Sequence, residues 1–363
     1  MTIDILDKHL TTQKYNMNKL ITYLTSLAVL FLVGCNDNTP EVQNNGEGTI
    51  RSASTFSVVT QEDITYAEGL GRNPSNSSLV TVPLKLDIYF PDNNYTDRPV
   101  FMFIHGGGFK GGTKTKPEIV EMAEYYASRG WVFASIDYRT TEELGSLQGL
   151  SQDDLFTYYK GIAPQEWIEN TFEGAETQEQ VQQSIAMYTA QRDSKAALRW
   201  LIANANNYNI DKDLITVGGA SAGAITTIAL GISNPEDFRN EISLDDDPTL
   251  SSTNLDQTYD IKSMIYFWGS NIKLDVFEGV YQLNRYDAND PELFMAHGDQ
   301  PDPVTPYEEA LELQGIYDSL GIYNQLYTLE GFGHGAWNAT VNGKGLFELS
   351  FDFLVDRQNL ITE

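Results

Sequence analysis

A single cysteine, four histidines and 23 basic side chains against 51 acidic ones leave this 363-residue chain short of several chemistries. One Cys excludes an internal disulfide and any zinc site built on cysteines. A formal net charge of −28 repels phosphate backbones and anionic surfaces, so no basic face is offered to nucleic acid. Apolar mass is not lacking. At 41% hydrophobic the chain can bury a proper core, which sets aside disorder and collagen-like structure. The length fits one large domain or two small ones.

Leu20 to Val33 is a mostly apolar run of 14 residues, with Lys14 and Lys19 ahead of it and Gly34-Cys35 behind. That is too short to span a hydrocarbon core of about 30 Å comfortably. A positive flank, a short apolar stretch and a small residue before a break read as a secretory signal peptide over residues 1–34, with Met17 an alternative start. From Asn36 to about Ser54 the chain is rich in Asn, Gly, Ser, Thr and Glu, so residues 35–55 are expected to form a flexible tether. Leu32-Val33-Gly34-Cys35 resembles the lipobox of bacterial lipoproteins. That resemblance implies cleavage before Cys35 and lipid on Cys35. The protein would then be exported and held on the periplasmic or cell-surface side of a bacterial membrane by that anchor alone. Setting residues 1–34 aside removes three lysines and two aspartates, so the acidity belongs to the exported part, where a solvated acidic surface is its plain reading.

From Phe56 onward, strand-type and helix-type runs alternate. Thr81–Phe90 has period-two alternation and stops at Pro91-Asp92, while Arg98–His105 holds the uninterrupted apolar run of a strand buried on both faces. A helix is expected over Pro117–Ser128, then a strand over Trp131–Tyr138, a strong helix over Ala190–Ala203 and a short strand over Leu214–Gly218. Strands at Ile261–Phe267 and Glu292–Ala296 follow, then a helix Glu308–Leu320 stopping at Gly321, a last strand Asn324–Leu329 and a closing helix around Phe347–Val355. The alternation predicts an α/β domain over residues 56–363 with a mostly parallel central sheet and helices on both faces. Residues 141–187 do not fit the short connections of such a fold. Their periodicity is weak, yet they carry Phe156, Tyr158, Tyr159, Trp167 and Phe172, and are expected to form a lid or pocket wall, or a satellite hydrophobic cluster.

Three motifs carry the chemistry. Gly219-Ala220-Ser221-Ala222-Gly223 follows a strand and precedes the helix-prone Ala224–Ile232, the setting of a nucleophile elbow, where only small neighbours permit the sharp turn that exposes the Ser221 hydroxyl. His105-Gly106-Gly107-Gly108-Phe109 ends an apolar strand, and its side-chain-free backbone can point N–H groups at a developing oxyanion. His297-Gly298-Asp299-Gln300-Pro301-Asp302-Pro303-Val304 and Gly331-Phe332-Gly333-His334-Gly335 each follow a strand, so an acid and a His can meet at one edge of a parallel sheet.

With these motifs in this order, the sequence resembles an α/β-hydrolase-fold carboxylesterase of the HGGG type, similar to the hormone-sensitive lipase and bacterial acetyl/feruloyl esterase group. The likeness runs from about Ile64 to Val355. It is carried also by Leu86-Asp87-Ile88-Tyr89-Phe90-Pro91, by Asp137-Tyr138-Arg139 and by Asp193-Ser194-Lys195-Ala196-Ala197-Leu198-Arg199-Trp200. Ala220 before the nucleophile and Gly223-Ala224 after it depart from the pattern common in the family, and the acid motif carries one extra residue. The resemblance implies Ser221 as nucleophile, His334 as base and Asp302 as its partner, chosen for the Pro-Val-Thr-Pro-Tyr that follows; Asp299 is the runner-up. It implies oxyanion donors at the backbone of Gly106, Gly107 and Ala222, and hydrolysis of short acyl or carbohydrate-linked esters through an acyl-enzyme, with no cofactor.

Two other readings use the same residues: a peptidase or amidase on this fold, and a non-catalytic surface binding module. His105 and His297 are expected to orient turns, no metal is called for, and Asp245-Asp246-Asp247 reads as an exposed acidic loop.

Overall fold

The structure, a computed structural model, describes residues 50–281 and 285–363. The expected signal peptide, the Cys35 lipidation site and residues 36–49 of the expected tether lie outside the described residues. Eight strands form one sheet: β1 (Val58–Arg72), β2 (Leu79–Pro91), β3 (Arg98–Ile104), β4 (Val132–Ile136), β5 (Ile210–Ala220), β6 (Ser263–Phe267), β7 (Glu292–Gly298) and β8 (Asn324–Leu329). Their order is β1-β2-β4-β3-β5-β6-β7-β8; β1 and β2 run antiparallel, β2 is antiparallel to β4, and the pairs from β4 to β8 are parallel.

The period-two rule explains how the sheet makes two cores. Along β3, Val100, Met102 and Ile104 enter one cluster while Phe101 and Phe103 enter the other; in β7, Leu293 and Met295 separate from Phe294 and Ala296 in the same way. Helices cover both faces. They are α1 (Pro117–Ala127), α2 (Gln152–Tyr158), α3 (Gln165–Gly174), α4 (Gln178–Ala203), the single turn α5 (Ala205–Tyr208), α6 (Ala222–Ile232), α7 (Asp275–Tyr281), α8 (Tyr307–Leu320) and α9 (Leu346–Arg357). Helices α1 and α9 pack on the Phe101 face, through Met122, Tyr126, Leu346 and Leu354. The other face is covered by α3, α4, α6, α7 and α8, through Trp167, Leu198, Ile228, Phe277 and Leu313. Local signals set the helix ends. Pro117 opens α1, Thr177 caps α4 in a capping box with Gln180, and Gly321 ends α8 with a left-handed φ of 72°.

Three features differ from expectation. The chain is already packed at Ile50, before the expected boundary at 56: Ile50 is 1% exposed and bridges Thr362, Arg51 pairs with Glu363 at 3.0 Å, and the Arg51 and Phe56 amides donate to Arg129 and Ser128 carbonyls. The reason is ordinary: Ile50 supplies apolar area that a polar tether lacks. Second, despite its weak periodicity the 141–187 segment is largely helical, with α2, α3 and the first turns of α4. Third, Asp247 is not part of an exposed loop. It is buried against Arg192 at 3.1 Å, while Asp246 pairs with Lys160 at 2.9 Å. No helix among the described residues is long and apolar enough to cross a membrane.

Candidate active site

The parallel strands deliver three loops to one edge of the sheet. Ser221 stands between β5 and α6 with φ 55° and ψ −120°, a region that a residue with a Cβ occupies only under constraint. The constraint comes from contact. A Cβ on Gly223 would lie 2.0 Å from the Ile104 carbonyl oxygen, and one on Gly106 would lie 2.6 Å from the Ala220 oxygen and 3.0 Å from the Ser221 Cβ. The elbow and the glycine loop after β3 are therefore pressed together backbone to backbone, which no larger residues allow.

His334, on the loop after β8, places Nε2 3.0 Å from the Ser221 hydroxyl and Nδ1 2.7 Å from Asp302 Oδ2. Asp302 is 5% exposed in its side chain and accepts from the amides of Val304 and Thr305 at 2.8 and 3.2 Å. The Thr305 hydroxyl donates to Asp302 Oδ2 at 2.7 Å, so its single proton is committed and it can only accept from His334 Nδ1, 3.0 Å away. The Nδ1 proton is thus shared between two acceptors, and Nε2 is left bare toward the Ser221 hydroxyl. Burial of the Asp302 carboxyl favours its neutral form. Hydrogen bonds from the Thr305 hydroxyl, the Val304 and Thr305 amides and the His334 ring outweigh that effect and hold it below the usual carboxylate range.

Asp299 is elsewhere. Its Oδ1 accepts from the Gly331 amide at 2.8 Å and from Gln300 at 3.0 Å, tying the turn after β7 to the one after β8. The other two histidines follow one pattern: Nδ1 of His105 meets the Gly106 carbonyl and Nδ1 of His297 the Gly298 carbonyl, each at 2.9 Å. A carbonyl only accepts, so both rings carry their proton on Nδ1, and burial pushes both below the ordinary imidazole range. Both brace turns, and the Ser221 hydroxyl is bonded to His334 instead.

Ala222 opens α6, where its amide has no intrahelical partner. Among the described residues no acceptor is bonded to the amides of Gly106 or Gly107 either, and these stand on the loop touching the elbow. Three backbone donors with no acceptor among the described residues thus lie on the two loops that meet at Ser221, one of them at the positive end of α6. Among the described residues no group of three or more His, Cys, Asp or Glu is arranged to hold a metal.

A cavity of about 590 Å³ opens over Ser221 and Ala222. Its floor is the elbow and Phe109; its walls include Asn170, Gln183, Met187, Lys273 and Thr305. The 141–187 segment therefore builds a wall of the cavity over the serine, and it also holds the glycine loop: Gln183 Nε2 donates to the Gly108 carbonyl at 2.9 Å, and Lys110 is ion-paired to Glu179. Behind this wall Trp167, Tyr188, Phe238 and Phe277 make a ring-to-ring cluster with centroids 5.3 to 6.2 Å apart. Thr305, Gln183 and Met187 gain their importance only through this tertiary meeting. The sole sequence signal is that Thr305 lies in the Pro-Val-Thr-Pro-Tyr run after Asp302.

The strand order, the strained serine between β5 and α6, and the glycine loop pressed on it define an α/β-hydrolase of the HGGG esterase type. The model of the BD-FAE family matches residues 86–146 and 159–279, just over half of the chain, including both the glycine loop and Ser221 and ending ahead of Asp302 and His334. The chain belongs to the BD-FAE family and is a carboxylesterase in class.

Among solved structures, a truncated carbohydrate esterase from gut microbiota is similar, with 19% identity, a TM-score of 0.52, and coverage of 85% of this chain and 99% of that one. Esterase 2 of the planctomycete Thermogutta terrifontis with butyrate bound is similar too, at 18% identity and a TM-score of 0.53, covering 83% and 95%. The same enzyme phosphorylated by paraoxon gives 20% identity and a TM-score of 0.51, covering 83% and 98%. At such identities the likeness speaks for the fold. No curated protein matches the chain.

Proposed function

We propose that the protein is a serine carboxylic-ester hydrolase that works through Ser221, His334 and Asp302 and an acyl-enzyme, on short acyl or carbohydrate-linked esters. The observation that carries this reading is the continuous relay from the Ser221 hydroxyl to His334 Nε2 at 3.0 Å and from Nδ1 to Asp302 at 2.7 Å. His334 takes the hydroxyl proton as Ser221 attacks the ester carbonyl, and the imidazolium that forms is stabilised by Asp302, which stays ionised. The tetrahedral oxyanion is held by the amides of Gly106, Gly107 and Ala222. Collapse releases the alcohol, protonated by His334; a water activated by the same ring then frees the acid.

The substrate class is supported by the cavity. A volume of about 590 Å³ suits a small acyl group with a sugar-sized alcohol, and polar Asn170, Gln183 and Lys273 beside apolar Met187 and Val276 suit a polar leaving group. A gut-microbiota carbohydrate esterase and an esterase with bound butyrate share the fold, in keeping with this reading. We further propose export and lipid anchoring at Cys35, on the grounds of the lipobox-like Leu32-Val33-Gly34-Cys35.

The test is a panel of p-nitrophenyl esters and acetylated or feruloylated oligosaccharides, run on wild type and Ser221→Ala. The expected loss is on the order of 10³-fold or more in kcat. Equal activity in the two proteins would sink the proposed nucleophile. Membrane partitioning of wild type against Cys35→Ala tests the anchor: if both stay soluble after secretion, the anchor reading is wrong.

A further inference from the structure

A second, smaller cavity of about 180 Å³ lies at the opposite edge of the sheet. Its lining includes Ile261 and Pro291, the residues just before β6 and β7, whereas Ser221, Asp302 and His334 all follow the far ends of their strands. Strands of this length separate the two edges by on the order of 17 Å.

Two guanidinium groups meet in this cavity. Arg199, from the last turns of α4, is only 3% exposed, and Arg239 reaches in from the loop after α6. In a chain so rich in acids, the usual arrangement is pairing. Arg139 pairs with Asp193, Arg192 with Asp247, Arg285 with Asp237 and Arg357 with Glu292. Arg72, Arg98 and Arg129 instead direct Nη groups at backbone carbonyls.

Arg199 and Arg239 do neither. Among the described residues no carboxylate lies in ion-pair reach of either, the only side-chain bond of Arg199 is from Nε to the Thr253 carbonyl at 2.7 Å, and buried Nε of Arg239 has no partner. Asp260 stands exposed on the rim and pairs with neither.

A buried cation without a counter-charge is costly, and a second one beside it adds repulsion. Burial pushes the Arg199 guanidinium down to about 10; Tyr259 nearby acts the other way, while Arg239 and Arg192 push in the same direction as burial. The neutral polar lining, Ser233, Gln257, Thr258, Tyr259 and Asn289, supplies further hydrogen-bonding groups. Two forks of N–H donors with neutral polar groups around them match the planar or tetrahedral oxygens of a small anion.

We propose that this cavity is a binding site for a small oxyanion, a phosphate, sulfate or carboxylate group held between Arg199 and Arg239, separate from the esterase site. The anion supplies the missing counter-charge and ties the end of α4 to the loop after α6. Binding to the folded state alone then stabilises the body by mass action.

The experiment is titration calorimetry and thermal unfolding of the full chain with inorganic phosphate, sulfate and acetate, each against chloride at matched ionic strength. Saturable binding at one site per chain with a rise in Tm is expected for at least one of the three. In Arg239→Ala that binding weakens about tenfold or more, while p-nitrophenyl acetate hydrolysis is unchanged. Asn289→Asp, an exposed change at the cavity mouth, weakens it too and keeps the test open should Arg239→Ala fold poorly. A preference for phosphate and sulfate, or for acetate, supports the site and narrows its ligand. Absence of saturable binding by all three anions, or binding equal in wild type and both variants, overturns the proposal.

Discussion

Gly223 leans on Ile104: the carbonyl oxygen of Ile104 occupies the place where a Cβ on Gly223 would be, 2.0 Å from it. The contact ties the first turn of α6 to the end of β3, and so ties the serine to the glycine loop. Gly223→Ala must push these backbones apart, because the obstructing atom is main chain and cannot swing away. We expect a destabilisation on the order of 3 kcal/mol, together with a fall in kcat larger than the change in KM. Urea unfolding and steady-state kinetics on p-nitrophenyl acetate check both; an unchanged unfolding midpoint would contradict the packing.

Asp302 and Asp299 offer a paired comparison. Asp302 touches His334 and Asp299 touches only the Gly331 amide and Gln300. Asp302→Asn is expected to lower kcat by on the order of 10³- to 10⁴-fold through loss of the ring's orientation and charge balance. Asp299→Asn is expected to cost less than about tenfold, because it loosens a turn without touching the ring. Reversed effects would transfer the acid role to Asp299.

Thr305→Val keeps the shape of the side chain and removes the hydroxyl shared by Asp302 and His334. About a tenfold drop in kcat with KM little changed is the expected kinetic result. The stability result depends on pH. Asp302 has a folded-state pKa below the unfolded value, so its contribution is present above the unfolded pKa of about 3.9 and is lost as pH falls through the folded value. The gap between wild type and Thr305→Val should therefore be widest above about pH 5 and close in more acidic solution. Unfolding midpoints measured from pH 3 to 7 give the answer; a gap that widens toward acid would mean that the hydroxyl does not stabilise the ionised carboxyl.

How far these features can be read from sequence depends on how local their causes are. Strand β8 is legible as Asn324–Leu329 because its alternation and flanking turns lie within one short run. Strand β1 is not, since at the sheet edge its exposed Thr60, Gln61, Glu62 and Asp63 mask the apolar side. In α4 the buried faces include Gln191, Arg192, Asp193, Ser194 and Lys195, so no apolar stripe marks the helix and only its Ala- and Leu-rich end is evident. Asp193 and Lys195 are tolerated inside because they are bonded: Asp193 takes three donors from Arg139 and Lys195 donates to the Asn234 and Asp237 carbonyls. At the site the elbow and the glycine loop announce themselves through contiguous small residues. The choice between Asp302 and Asp299 does not, because it depends on where the loop after β7 turns, and the cavity wall depends on how α3 and α4 pack.

The bridge between Ile50 and Thr362 has a practical consequence. Arg51 also bonds to Arg129, ahead of β4, so the chain enters and leaves the body beside the edge of the sheet away from Ser221. A resin, a polymer or a carrier fused directly before Ile50 or after Glu363 would leave the catalytic mouth uncovered. A short peptide joining Glu363 to Ile50 would allow circular permutation of the body, with new termini opened in a surface turn of choice.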